Sequence, residues 1–141
     1  MIWHKLIDLK TLNELHRNTM QEFVGIEFTD IGDDYIKARM PVNERTKQPH
    51  GLLHGGANVV LAESLGSIAC VLSIDSEIKT CVGLEVNANH LRAVRSGFVH
   101  GIAKPIHIGR STQVWEIKIY DDNNKLTCIA RLTNAILDKV K

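Results

Sequence analysis

Apolar and polar positions alternate along this chain with two different periods. From Leu9 to Met20, Leu9, Leu12, Leu15 and His16 recur at helical spacing, which predicts a short amphipathic helix with Thr11 as its cap and a packing or lid role. Between Phe23 and Val42 two strand-like runs, FVGIEFTDI and YIKARMPV, flank Gly32-Asp33-Asp34, a turn signal that predicts a hairpin. Residues 43–49 read as a polar loop.

A different pattern follows. Between Gly51 and Ile74 the 24 residues carry one charged side chain, Glu63, and an apolar helical pattern runs from about Ala57 to Ser73. Such a helix would be about 25 Å long at 1.5 Å per residue. With no polar face it has to be enclosed, and the material for that is the β-rich second half of the chain. Four strands are expected there: Lys79 to Leu91, Phe98 to Ile108, Thr112 to Tyr120 and Leu126 to Leu137. Trp115, Ile117 and Ile119 alternate with Glu116, Lys118 and Tyr120, as in an antiparallel sheet with one covered face. Asp121 to Lys125, DDNNK, supplies a hairpin loop. The expected fold is α+β, an antiparallel sheet wrapped around a long central helix, with residues 1–141 as one domain.

Composition narrows the partners. Seventeen basic against sixteen acidic residues give a net charge of +1, so no global field draws the chain to nucleic acid or an anionic membrane. Cys70, Cys81 and Cys128 form no Cys-x-x-Cys pair and stand in apolar surroundings, the usage of reduced core residues in a cytoplasmic protein. MIWHKLIDLK lacks the apolar run of a signal peptide, and residues 51–74 are interrupted by four Gly, His54, Asn58 and Glu63, so neither secretion nor membrane insertion is expected. His50 and His54 have no third ligand near them in the sequence, and no metal site is expected. Trp3 and Trp115 read as packing residues.

Glu63 carries the chemistry. A carboxylate among Val59, Val60, Leu61, Ala62, Leu65, Ile68 and Ala69 is costly unless paired, hydrated or used. Taken singly, a buried Glu near a hydroxyl is also the pattern of a paired core residue, and Gly-Gly before a helix that of a turn. The combination of His54-Gly55-Gly56 with a lone Glu seven residues on points to catalysis. A backbone N–H at a helix N-terminus offers a free donor and a favourable dipole to a carbonyl oxygen that becomes negative. Gly55 is placed for that role, and Gly56 permits the tight entry. Glu63, about two turns on, could reach a carbonyl carbon held at the N-terminus of the matching helix in a second subunit, and Ser67, at i+4, shares its face. A carboxylate there can attack as nucleophile or activate water as general base, and both remain open.

The string Gln48-Pro49-His50-Gly51-Leu52-Leu53-His54-Gly55-Gly56, followed by Ala62-Glu63-Ser64, Gly66 and Ser67, resembles the hotdog-fold acyl-CoA thioesterases, in the 4-hydroxybenzoyl-CoA thioesterase branch whose catalytic glutamate lies on the central helix. Ile31-Gly32-Asp33-Asp34, Arg45-Thr46-Lys47-Gln48-Pro49 and Glu85-Val86-Asn87-Ala88-Asn89-His90 extend the resemblance over almost the whole chain, toward the bacterial 1,4-dihydroxy-2-naphthoyl-CoA hydrolases of menaquinone synthesis. That resemblance implies a hotdog fold and hydrolysis of an aromatic acyl-CoA. It gives Gly55 the carbonyl-polarising role, His54 the loop or the thioester sulfur, and Gln48 the water or the acyl carbonyl. The family often has Thr where this chain has Ser67.

Coenzyme A belongs to the substrate, and no separate cofactor is implied. Its phosphates need cations and loop amides. The segments that resemble the family's CoA contacts hold His90, Leu91, Arg92 and Ser96, then His107, Ile108, Gly109, Arg110 and Ser111, with Val82 and Lys104 as further contacts. Arg92 and Arg95 also fit solvated strand-end charges. A proofreading branch that acts on aryl-carrier proteins of siderophore synthesis shares the same chemical residues, and discrimination would rest on a few apolar residues near the acyl end, such as Ile68 and Val71 or Leu72, and on the carrier-facing surface. Hotdog dehydratases pair a His with an acidic residue, but this chain lacks their Pro-rich approach to the helix. A non-catalytic acyl-CoA or carrier-protein binding module is the third reading, one that gives the lone carboxylate no task. A shared site requires at least a dimer, and the resemblance suggests a dimer of dimers.

Overall fold

The computed structural model describes residues 1–141 throughout. Six antiparallel strands form one sheet in the order β1-β2-β4-β5-β6-β3, with β1 at Glu27–Ile31, β2 at Ile36–Pro41, β3 at Lys79–His90, β4 at Phe98–Ile108, β5 at Thr112–Asp121 and β6 at Leu126–Asp138. A 19-residue helix, Gly55–Ser73, packs across it against β2 through β6. This helix, α3 in chain order, follows the short helices α1 (Leu9–Leu15) and α2 (Met20–Phe23).

The last four strands begin where the alternation places them and end within a residue of it. The N-terminal part differs. Asp8, not Thr11, caps α1: its carboxylate accepts the Thr11 N–H at 2.8 Å and the Thr11 hydroxyl at 2.8 Å. The helix stops at Leu15, and Asn18, at φ 60°, turns the chain into α2. Phe23 therefore belongs to a helix, and the first strand starts at Glu27, because Gly25 adopts φ 82° and breaks the extended run. The role of α1 is packing: Leu12 and His16 are buried, and Asn13 brackets Phe28 of β1 with two hydrogen bonds. Trp3 and Trp115 stack at 6.1 Å in the core.

By length and composition α3 would pass for a membrane span, but its apolar surface is the sheet's core contact. Two close approaches set the distance between them. A β-carbon on Gly66 would stand 2.6 Å from Leu132, and one on Gly101 2.5 Å from Leu65, so helix and sheet sit closer than side chains at these positions allow. The enclosure expected around α3 is one-sided. Leu61, Ala62, Leu65 and Ala69 are fully buried, whereas Val60, Glu63 and Ser67 are half-buried and Val71 is 40% exposed. Strands β2 through β6 cover one flank of the helix and leave the other open.

Candidate active site

A web of backbone bonds leads into α3 and fixes its first turn. Thr46 donates its hydroxyl to the Pro41 carbonyl at 2.7 Å, His54 N–H reaches the Thr46 carbonyl at 2.8 Å, and Leu53 N–H the Val94 carbonyl at 2.8 Å. His54 is the N-cap, its Nδ1 accepting the Gly56 N–H at 2.8 Å. That bond occupies one of the helix's unpaired donors. The Gly55 N–H has no partner in the chain, and Gly55 lines a cavity of about 330 Å³ together with Gln48, Asn58, His90, Leu91 and Arg92. Gln48 holds the His50 N–H with its carbonyl oxygen, which leaves its NH₂ free.

Glu63 opens into a separate cavity of about 320 Å³, lined by Met20, Gln21, Val60, Ser64 and Ser67. It forms no ion pair and no hydrogen bond within the chain, Ser67 included, and it is half-buried rather than enclosed as its apolar neighbours imply. The reason is its place on the open flank of α3. Its Oε1 stands 2.8 Å from where a β-carbon on Gly83 would be, so the carboxylate lies against bare backbone of β3. Across the strand pair from Gly83 is Asn134, fully buried, with neither amide atom partnered in the chain.

Gly55 and Glu63 are eight residues apart on one helix, about 12 Å along its axis. Within one chain they do not converge. The CoA segments divide the same way. His90, Leu91 and Arg92 join Gly55 and Gln48, with the exposed Ser96 farther along the same loop. His107, Ile108, Gly109, Arg110 and Ser111 lie at the β4–β5 turn, which β4 carries to the C-terminal end of α3, where Ser73 bonds Gln113 at 3.1 Å and the Ser111 carbonyl accepts Ile136 N–H at 2.9 Å. Lys104 joins neither group and lies 5.9 Å from the Tyr35 ring centroid. Val82 is exposed on β3 beside Gly83. Of the side chains considered for acyl choice, Leu72 packs in the core, while Ile68 is half-buried and Val71 exposed.

Residues 50–128 match the thioesterase superfamily. The chain belongs to that superfamily. It is a hotdog-fold thioester hydrolase. It is 54% identical to the 1,4-dihydroxy-2-naphthoyl-CoA hydrolase of Escherichia coli over 97% of this chain and 100% of that protein. To the proofreading thioesterase EntH of Cronobacter turicensis it is 47% identical, over 97% and 99%. A crystal structure of a mutant thioesterase from Pseudomonas aeruginosa superposes with a TM-score of 0.97 at 50% identity, covering 99% of this chain and 100% of that one.

Three residues beside these two cavities escape the sequence pattern: Asn58 lines the first, Gly83 lies against Glu63, and Asn134 pairs with Gly83 across the strands. Asn58 was visible only as a polar residue in the first turn of an apolar helix. Gly83 and Asn134 gain meaning from the β3–β6 register, which no local spacing reveals. No three His, Cys, Asp or Glu side chains gather as a metal site would need.

Proposed function

We propose that this thioesterase hydrolyses aromatic acyl-CoA thioesters of the 1,4-dihydroxy-2-naphthoyl class at sites shared by two copies of the chain. The observation that carries the reading is the separation of Gly55 from Glu63. A free N–H and a free carboxylate, each beside its own cavity, serve one thioester when a second copy brings its Glu63 to this copy's Gly55. Strand β3 is the natural seam: its 12 residues pair with β6 on one side only, and Val82 and Leu84 on it are 45% and 60% exposed. Long unpaired edges with apolar side chains favour association. Antiparallel pairing of two such edges would run the two α3 helices in opposite directions. It would also draw the partner's β4–β5 turn toward this copy's Arg92, uniting the two CoA segments. A dimer of dimers extends this assembly.

In the reaction the thioester carbonyl accepts the Gly55 N–H, whose helix-end dipole favours the developing oxyanion. Glu63 then attacks the carbonyl carbon, breaking the C–S bond to give a mixed anhydride and the CoA thiolate, and water hydrolyses the anhydride. Alternatively Glu63 takes a proton from the attacking water, and the thiolate leaves from the tetrahedral adduct. Ser67 orients the carboxylate or the water, and the free Gln48 NH₂ holds the acyl carbonyl or the water. No cofactor enters beyond the CoA carried by the substrate, and the three free cysteines fit action in the cytoplasm. The likeness to a proofreading thioesterase of Cronobacter favours a second reading, in which the substrate is the aryl-carrier thioester that the sequence resemblance implies.

The test is thiol release from 1,4-dihydroxy-2-naphthoyl-CoA, benzoyl-CoA, palmitoyl-CoA and a benzoyl-loaded aryl-carrier protein. Aromatic CoA selectivity lost in Glu63→Gln supports the reading, and preference for the loaded carrier replaces it with the proofreading one. Mixing refolded Glu63→Gln and Gly55→Ala chains, each inactive alone, restores about a quarter of wild-type activity if sites are shared. No restoration confines the site to one chain.

A further inference from the structure

Asn58 lies in the first turn of an apolar helix, where its amide has little to do for the fold. It is 5% exposed, and its Oδ1 has no partner in the chain. Burying an amide with an unused carbonyl disfavours folding, so an apolar side chain of the same shape would serve the core better. The amide's one bond is to a residue 32 positions away: Nδ2 lies 3.3 Å from Nδ1 of His90. That histidine ends β3, and its Nε2 stands 2.9 Å from where a β-carbon on Gly55 would be. Asn58, His90 and Gly55 line one cavity, and the Gly55 N–H has no partner in the chain.

We infer that Asn58 is a positioning residue that holds His90 with its Nε2–H over Gly55, giving the thioesterase a second donor for the thioester oxygen. The inference rests on the proposed role of Gly55. The chemistry follows from the imidazole's two nitrogens. A neutral ring carries one N–H, and a bond from the Asn58 NH₂ to Nδ1 leaves that proton on Nε2. Nε2 is the nitrogen turned to Gly55. A tetrahedral oxyanion draws more stabilisation from two donors than from one, and the neighbouring Gly56 N–H cannot serve because His54 occupies it. Strand β3 fixes where the ring is, and Asn58 fixes which nitrogen donates. Glycine at 55 leaves the ring in place: a β-carbon there would stand 2.9 Å from Nε2 and push the ring aside.

Two measurements on the assembled protein test this. In wild type labelled with ¹⁵N-histidine, His90 is expected as the Nε2–H tautomer at neutral pH, and Asn58→Leu is expected to lose that tautomer preference without loss of thermal stability. This readout needs no substrate, so it stands apart from the test of the parent reading. In thiol-release assays Asn58→Leu lowers kcat about ten- to hundredfold with KM little changed, and Asn58→Ser, which keeps a donor, recovers part of it. In a His90→Ala background the Asn58→Leu change has no further effect. An Nδ1–H tautomer in wild type, an unchanged kcat in Asn58→Leu, or full additivity of the two substitutions overturns the inference. If Glu63→Gln leaves wild-type hydrolysis intact while the tautomer result holds, the parent reading fails and the Asn58–His90 pairing survives.

Discussion

The Glu63 carboxylate rests on Gly83, its Oε1 2.8 Å from the point where a β-carbon would stand. Nothing else in the chain bonds it, so the bare strand is what limits where it goes. Gly83→Ala meets only the free end of a flexible side chain, which moves away and leaves the fold intact. Displacing a reacting group by about 1 Å costs up to a hundredfold. We expect kcat to fall ten- to hundredfold with the melting temperature unchanged or slightly raised, and an unaltered kcat would show that the carboxylate reacts from another position.

The seat of α3 on the sheet gives a second expectation, this time about stability. A β-carbon on Gly101 would stand 2.5 Å from Leu65 and 3.5 Å from Leu61, both leucines fully buried. Gly101→Ala overfills this contact and should destabilise the fold by about 1–3 kcal/mol. Urea denaturation measures it as a lowered midpoint at constant slope. A midpoint equal to wild type would mean that the helix can back away without loss.

Acid stability depends on Asp122. The His100 imidazole at 2.7 Å and the Phe98 N–H at 3.0 Å hold its carboxyl below the usual carboxylate range. The unfolded chain takes up that proton near pH 3.9, about the ordinary value. The contribution to stability is therefore complete above that pH and is lost as pH falls through the lower folded value. Asp122→Asn should flatten the acid limb of a stability–pH curve below about pH 4, and an identical limb would remove this pair from the account.

Thiol reactivity should follow burial. Burial pushes the Cys128 thiol up to about 11, while the Cys70 thiol, donating to Cys81, pulls Cys81 below its usual value. Iodoacetamide at pH 8.5 should label Cys81 first and Cys128 only after denaturation. The raised Cys128 value also predicts stability that is full below about pH 8.5, where the unfolded thiol titrates, and lost as pH rises toward the folded value. Labelling of native Cys128 at the rate of Cys81 would contradict both statements.

Local sequence pattern accounts for the long helix, the strands after it and the hairpin at Gly32-Asp33-Asp34, and the motif around Gly55 and Glu63 for the thioesterase class. Each rests on local physics: a period of two or 3.6, a glycine pair at a helix start, one charge in an apolar run. It misled at Phe23, where apolar residues resembled a strand until Gly25 turned the chain. It misplaced the cap of α1, since Asp8 and Thr11 are both good capping residues and only the observed start at Leu9 chooses between them. Tertiary structure alone decided what is open. Strand order leaves β3 as an edge and one flank of α3 uncovered, so Glu63 is accessible. The β3–β6 register sets Gly83 under the carboxylate, and the end of β3 carries His90 to Asn58, 32 residues back in the chain, and to Gly55 beside it. Those relations are contacts between elements far apart in sequence. Local patterns fix which face a side chain takes, but only the closed sheet fixes what that face meets.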